Sequence, residues 1–204
     1  ASLSGCVVAA GGGAAAGYAV LGEDLPPEQQ LRDYQIKAEV AGTWGAFSQE
    51  MAHRLDATVF DGQVLITGRA PDARWRQEAV RRAWRVRGVK RVFDEIAVGP
   101  DSRFVDSARD TWITTQLRGA LIADLDVKSI NYVIKTDDRV VYVMGVARSP
   151  RELNDVTRHA RTIAGVRRVI SFVTVLPSPE QQLNAPPPPE EGEDMGPGEN
   201  AGPD

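Results

Sequence analysis

A single cysteine, Cys6, and two histidines, His53 and His159, are all that this 204-residue chain offers to thiol or imidazole chemistry. One cysteine excludes an intramolecular disulfide framework, and two histidines far apart with no second cysteine exclude the spacing of a zinc site. No long hydrophobic run is present. The Ala- and Gly-rich stretch 7–21 is too short and too weakly apolar for a membrane span. Nucleophile motifs are missing as well: Ser107, Ser129 and Ser149 sit in no nucleophile elbow, and serines at helix starts act as caps. The run Gly11-Gly12-Gly13 is not followed by the Lys-Ser or Lys-Thr of a phosphate-binding loop. The paired carboxylates Asp124 and Asp126, and Asp137 and Asp138, fall at helix ends and turns, where acidic residues are ordinary solvated punctuation. No catalytic residue, metal or cofactor is expected, and the chain does not read as an enzyme.

Basic residues are missing from both ends. All 24 Lys and Arg lie between Arg32 and Arg168, so the formal charge of -4 conceals a body of about +6. From Glu180 to Asp204 every charge is acidic, prolines are frequent and apolar residues are scarce. Such a segment cannot bury enough surface to offset the entropy of ordering, and 177–204 reads as a disordered acidic tail.

What the chain has in quantity is internal similarity. The segment 33–98 lies over 110–175 without a gap, at an offset of 77 positions: Gly68 falls on Gly145, Gly88 on Gly165, Val92 on Val169. One module has been duplicated. A copy of about 66 residues is near the lower limit for independent folding, so the two should lean on each other.

Periodicity supplies the elements. Ile36, Val40, Trp44 and Phe47 recur at helical spacing in copy one, as do Ile113, Leu117, Ala120 and Leu121 in copy two. Asp61-Gly62 between two β-prone runs is a strong hairpin signal, and copy two repeats it less ideally at Asp138-Arg139. Segments 71–87 and 150–164 read as second helices, with Pro near the start and Gly88 or Gly165 past the end. Segments 89–98 and 166–175 read as closing strands. The expected fold class is α+β: two tandem α-β-β-α-β sandwich domains, each a three-stranded mixed sheet packed on two helices. The expected boundaries are 1–30 for the N-terminal segment and linker, 31–99 and 100–176 for the domains, and 177–204 for the tail.

Two resemblances follow from particular residues. Leu3-Ser4-Gly5-Cys6 resembles the lipobox of bacterial lipoproteins, in which the cysteine is acylated, and its small-residue surroundings fit the end of a signal peptide. Two other readings stand beside it: an incidental cysteine, or Gly13 and Gly17 as the packing face of a short membrane segment. Valine rather than aspartate after Cys6 points, by the sorting habit of such lipoproteins, to the outer membrane. The strand-glycine elements Val64-Leu65-Ile66-Thr67-Gly68 and Val141-Tyr142-Val143-Met144-Gly145 are one hallmark; Gly88-Val89-Lys90-Arg91-Val92 and Gly165-Val166-Arg167-Arg168-Val169 are the other. Together they resemble the BON domain, twice in register over 33–176. The resemblance implies a lipid-anchored, non-enzymatic protein at the outer membrane, facing the periplasm, supporting envelope integrity and binding phospholipid surfaces. Copy one departs from the pattern at Gly42, Gly45, Trp44 and Phe47, so the copies need not bind the same thing.

Comparing the copies singles out two surfaces. On a helical wheel Trp112 lies roughly 130° from the centre of the core face formed by Ile113, Leu117 and Leu121, and its counterpart is Gln35. Beside it are Gly119, Ile122 and Arg118, an apolar patch edged by a cation and suited to the headgroup level of an anionic phospholipid membrane. The competing reading packs Trp112 into the seam between the copies. The second surface is basic: Arg74, Arg81, Arg82 and Arg85, with Trp75 and Trp84 in the same stretch. Trp84 and Val80 have core spacing, and the arginines suit anionic lipid, an acidic envelope protein partner, or pairing with neighbouring carboxylates or the acidic tail itself; the alternative to a lipid-contacting protein is a periplasmic adaptor that recruits a partner through this basic helix or through the tail. Nucleic acid is disfavoured as a partner by the expected compartment.

Overall fold

A computed structural model describes residues 27–99 and 103–177. Cys6, the Ala/Gly-rich stretch and the acidic tail lie outside the described residues. In order, the elements are α1 (Pro27–Phe47), α2 (Gln49–Arg54), β1 (Leu55–Phe60), β2 (Gln63–Ala70), α3 (Ala73–Trp84) and β3 (Arg91–Val98). Copy two follows with α4 (Arg103–Ala123), a 3-10 turn at Ser129–Asn131, β4 (Tyr132–Asp137), β5 (Val140–Ala147), α5 (Pro150–Thr162) and β6 (Arg168–Val175). Each sheet has its middle strand antiparallel to the first and parallel to the third, in the orders β1-β2-β3 and β4-β5-β6. The α+β class and the two mixed three-stranded sheets agree with the sequence reading.

The hairpins turn through backbone that few residues tolerate. Asp61 and Gly62 have φ of 47° and 71°, and Asp138 and Arg139 have 48° and 60°, the left-handed pair of a tight hairpin. A carboxylate from the first helix of each copy steadies its turn. Asp33 accepts the amides of Asp61 and Gly62 at 2.7 and 2.9 Å, and Asp110 accepts those of Asp138 and Arg139 at 2.9 and 2.8 Å. The glycines shared at the end of the second strand have a steric cause. A Cβ on Gly68 would collide with the carbonyl of Arg54, and one on Gly145 with that of Asn131.

Helix punctuation follows side-chain chemistry. Asp72 accepts the amide of Trp75 to start α3, and Ser149 accepts that of Glu152 to start α5, with Pro150 in the first turn. Both helices end a little earlier than the sequence spacing suggests. Trp84 is corrected: it is 50% exposed, because α3 ends at that residue and Ala79, Ala83 and Val86 fill the core beneath it. Phe47 also leaves the core, at the end of α1, while Ile36, Val40 and Trp44 form its buried stripe. The unexpected element is α2, capped by Ser48 and anchored by buried Met51; it gives copy one a third helix.

Each sheet buries both faces. One face of each packs on its own helices, through Trp44, Val64, Ile66 and Ala83 in copy one and Leu117, Val141, Val143 and Val156 in copy two. The other faces meet: Phe60, Leu65 and Phe93 of the first sheet pack on Val140, Tyr142, Met144 and Phe172 of the second. Phe93 and Phe172 stack with centroids 4.0 Å apart. Polar contacts ring this seam, Lys135 to Asp56 at 2.7 Å and Arg69 to Asp138 at 3.3 Å. The layers therefore run helix, sheet, sheet, helix, with one core inside each copy and a third shared between the two sheets. Among the described residues no helix is long and apolar enough to cross a membrane.

Candidate functional site

Helix α4 turns Ile113, Leu117 and Leu121 into the second core and leaves its opposite side to solvent. That outer side carries Trp112, Thr115, Gln116, Gly119, Ile122 and Ala123, all exposed and all uncharged. Trp112 is 46% exposed and Ile122 58% exposed. Because the seam between the copies is made by the sheets, Trp112 has no place in it. Arg118 is partly buried on the flank of the helix, and a Cβ on Gly119 would meet open space. The structure thus brings Trp112, Gly119 and Ile122 to one broad helix surface with Arg118 at its edge.

The sequence reading missed Leu125, which lies two residues past the end of α4 and is 97% exposed. Its spacing could not be read because it lies in a turn, beyond the helix whose period was used.

Around that turn the copies solve one packing problem with different chemistry. In copy one Arg82 lies over the ring of Phe47 at 4.2 Å. At the matching positions of copy two, His159 Nε2 lies 2.6 Å from Asp124 Oδ2. Neither His159 nor Asp124 is therefore free-standing, as the sequence suggested. The bond from His159, then the amide of Asp126, holds the Asp124 carboxyl below its usual range. Nearby Glu152 is 3% exposed. Burial pushes its carboxyl up, but bonds from the Arg148 side chain and from the amides of Lys128 and Arg148 outweigh this, and its pKa falls below the ordinary value. His53 Nδ1 is 2.6 Å from the carbonyl of Gln49. Both histidines are engaged in structural contacts.

The basic stretch divides. Arg74 and Arg81 are exposed on α3 and Arg85 just past its end, whereas Arg82 is partly buried, with an ion pair to Glu78 at 2.8 Å. Arg81 also pairs with Glu78, and Arg76 grips Asp94 at 2.8 Å. Trp75 is partly buried against the first core.

A polar cleft opens at the rim of the seam, lined by Arg69, Arg76, Asp94, Asp138, Tyr142 and Arg167 among others. Three of its four arginines already have anions: Arg76 holds Asp94, and Arg69 and Arg167 share Asp138 at 3.3 and 3.0 Å. Burial and the Glu95 carboxylate push the Tyr142 hydroxyl up to about 12, so it stays a neutral donor toward Glu95 at neutral pH. The cleft reads as a clamp between the copies.

Comparison with known proteins bears on this architecture. The chain is 38% identical over 130 residues to an uncharacterized protein in the gshII 5' region of Anaplasma centrale, covering 62% of this chain and 85% of that protein. It is 29% identical over 176 residues to the outer membrane lipoprotein DolP of Haemophilus influenzae, covering 85% and 90%. It is 28% identical over 123 residues to the 21 kDa hemolysin of Actinobacillus pleuropneumoniae, covering 60% and 63%. The family model for the BON domain matches residues 33–100 and again 109–177. Those two spans hold the two hairpins, their steadying carboxylates and the six strands, and the chain belongs to the BON domain family, with two copies of the domain.

Proposed function

We propose that this chain is a non-enzymatic binding protein of the bacterial envelope that contacts anionic phospholipid through the outer side of α4, at Trp112, Arg118, Gly119 and Ile122. One observation carries the reading: a half-exposed tryptophan and a more exposed isoleucine share a helix side whose stretch from Trp112 to Ala123 is uncharged, with Arg109 and Arg118 at its margins. A soluble helix ordinarily puts charged and polar residues there. Withdrawing such side chains from water contributes on the order of 1–2 kcal/mol each, and the indole suits the boundary between headgroups and acyl chains. Support for the compartment comes from the relative of Haemophilus influenzae, whose name places it in the outer membrane as a lipoprotein. By the same reading Cys6 is the acylated residue, the protein faces the periplasm, and it supports outer-membrane integrity. A single acyl signal is a marginal anchor, so a second contact adds usefully to it.

Co-sedimentation of the full chain, carrying Cys6→Ser, with vesicles of equal phosphatidylglycerol and phosphatidylcholine tests the contact. Binding should fall at least fivefold in Trp112→Ala. Unchanged binding would remove α4 from the site.

The exposed arginines on and just after α3, Arg74, Arg81 and Arg85, favour a second reading, a periplasmic adaptor that recruits an acidic protein partner. Under that reading the triple change to Gln leaves vesicle binding intact and abolishes partner recovery from envelope extracts.

A further inference from the structure

The two copies differ most in backbone between the first helix and the hairpin. Copy one fills this stretch with α2 and buries Met51 beneath it. In copy two α4 stops at Ala123, the chain turns so that the Val127 amide meets the Asp124 carbonyl at 3.2 Å, and a 3-10 turn leads into β4. Val127 is buried, and Leu125 stands out almost fully exposed.

The turn beneath Leu125 is held from several sides. Asp124 Oδ1 accepts the amide of Asp126 at 3.0 Å, and Oδ2 meets His159 of α5 at 2.6 Å. Arg148 donates to the carbonyl of Asp126 at 2.8 Å. Glu152 accepts the amide of Lys128 at 2.8 Å through one oxygen, and the amide and Nε of Arg148 at 2.7 and 3.0 Å through the other. Copy one has nothing comparable, with Pro71 opposite Arg148 and Trp75 opposite Glu152. A buried carboxylate costs desolvation free energy that a larger apolar residue would not. Here it rigidifies a turn whose tip is an exposed leucine.

We infer that the Leu125 turn is a preformed wedge that enters the lipid surface beside Trp112 and Ile122, with Glu152 as its positioning residue. This rests on the reading of α4 as the membrane face. Three features favour lipid over a protein pocket. Trp112, Ile122 and Leu125 are spread along roughly 20 Å of chain, where a protein pocket would gather them into one knob. The carbonyl of Asp126 and the amides of Asp126 and Lys128 are already bonded within the protein, so insertion strands none of them away from water. The carboxylates flanking Leu125 are matched by cations or a histidine, Asp124 by His159 and Asp126 by Arg151 at 3.8 Å. A fixed tip also loses little conformational freedom on binding.

The test places a polarity-sensitive nitrobenzoxadiazole label on single cysteines, Ile122→Cys or Leu125→Cys, in the full chain carrying Cys6→Ser. Vesicles of equal phosphatidylglycerol and phosphatidylcholine are then added. Both labels should shift to the blue and brighten severalfold. With Glu152→Gln added, the label at 122 should keep its response while the label at 125 loses at least half of its gain. If position 122 responds and position 125 stays in water, the wedge is refuted and the α4 contact stands. Silence at both positions overturns the α4 reading and the wedge with it. If Glu152→Gln changes neither label, Glu152 has no positioning role.

Discussion

Single residues carry the difference between fold and site. Gly68 and Gly145 coincide in the repeat because a carbonyl crowds the space beside each, so their meaning was legible from sequence as fold and nothing more. Asp33 and Asp110 stand at the start of the repeat, yet their bonds to turns 28 residues away left no local signal. Glu152 gave half a signal: Ser149 and Arg148 stand three and four residues before it, the spacing of a helix start, but its bond to the Lys128 amide 24 residues away forms only in the folded chain. Its pH behaviour is open to measurement. The folded carboxyl titrates below its ordinary value, so its contribution to stability is present above the ordinary glutamate range, near pH 4.3, and is lost as pH falls through the lower folded value. Glu152→Gln should destabilise the protein by about 1–3 kcal/mol at pH 7. Urea titrations at pH 7 and pH 3 should show that gap narrowing in acid. A gap of the same size at both values would mean that the carboxylate charge is irrelevant.

At the scale of elements, periodicity located helices well and their ends poorly. Trp44 and Trp84 both fell on apolar spacing, but only Trp44 is buried, and its Nε1 donates to the carbonyl of Ala79 at 3.1 Å. Trp84 occupies the last residue of α3, where the helix no longer covers the sheet. A wheel drawn from sequence has no knowledge of where the helix stops. The two substitutions should separate cleanly in thermal unfolding. Trp44→Ala should cost about 3–5 kcal/mol, and Trp84→Ser should stay within about 0.5 kcal/mol. The outer side of α4 was legible for the same reason that its core side was: one wheel assigns both. Leu125 and α2 were not, because the stretches after the two first helices have no shared period and diverged in backbone.

For the whole molecule, the sequence implied that copies of this size would support each other, but not by which surfaces. The mutual face is written in the middle strands, where Val64-Leu65-Ile66 and Val141-Tyr142-Val143 run apolar without alternation, as strands buried on both faces do. Phe172 stacks on Phe93 across that seam, against its buried residues. Phe172→Ala should lower stability by about 2–4 kcal/mol and depress circular dichroism and tryptophan fluorescence transitions together. A loss confined to one of two separate transitions would show that the copies unfold independently. The layer order also dictates posture. The helices of the two copies stand on opposite outsides of the paired sheets, so a molecule lying on α4 turns α1 and the arginines of α3 away from the bilayer beneath it. On the proposed contact of α4, one bilayer cannot engage both sides at once: whatever meets Arg74, Arg81 and Arg85 arrives from across the water, and the protein acts as a spacer with a lipid floor and a basic ceiling.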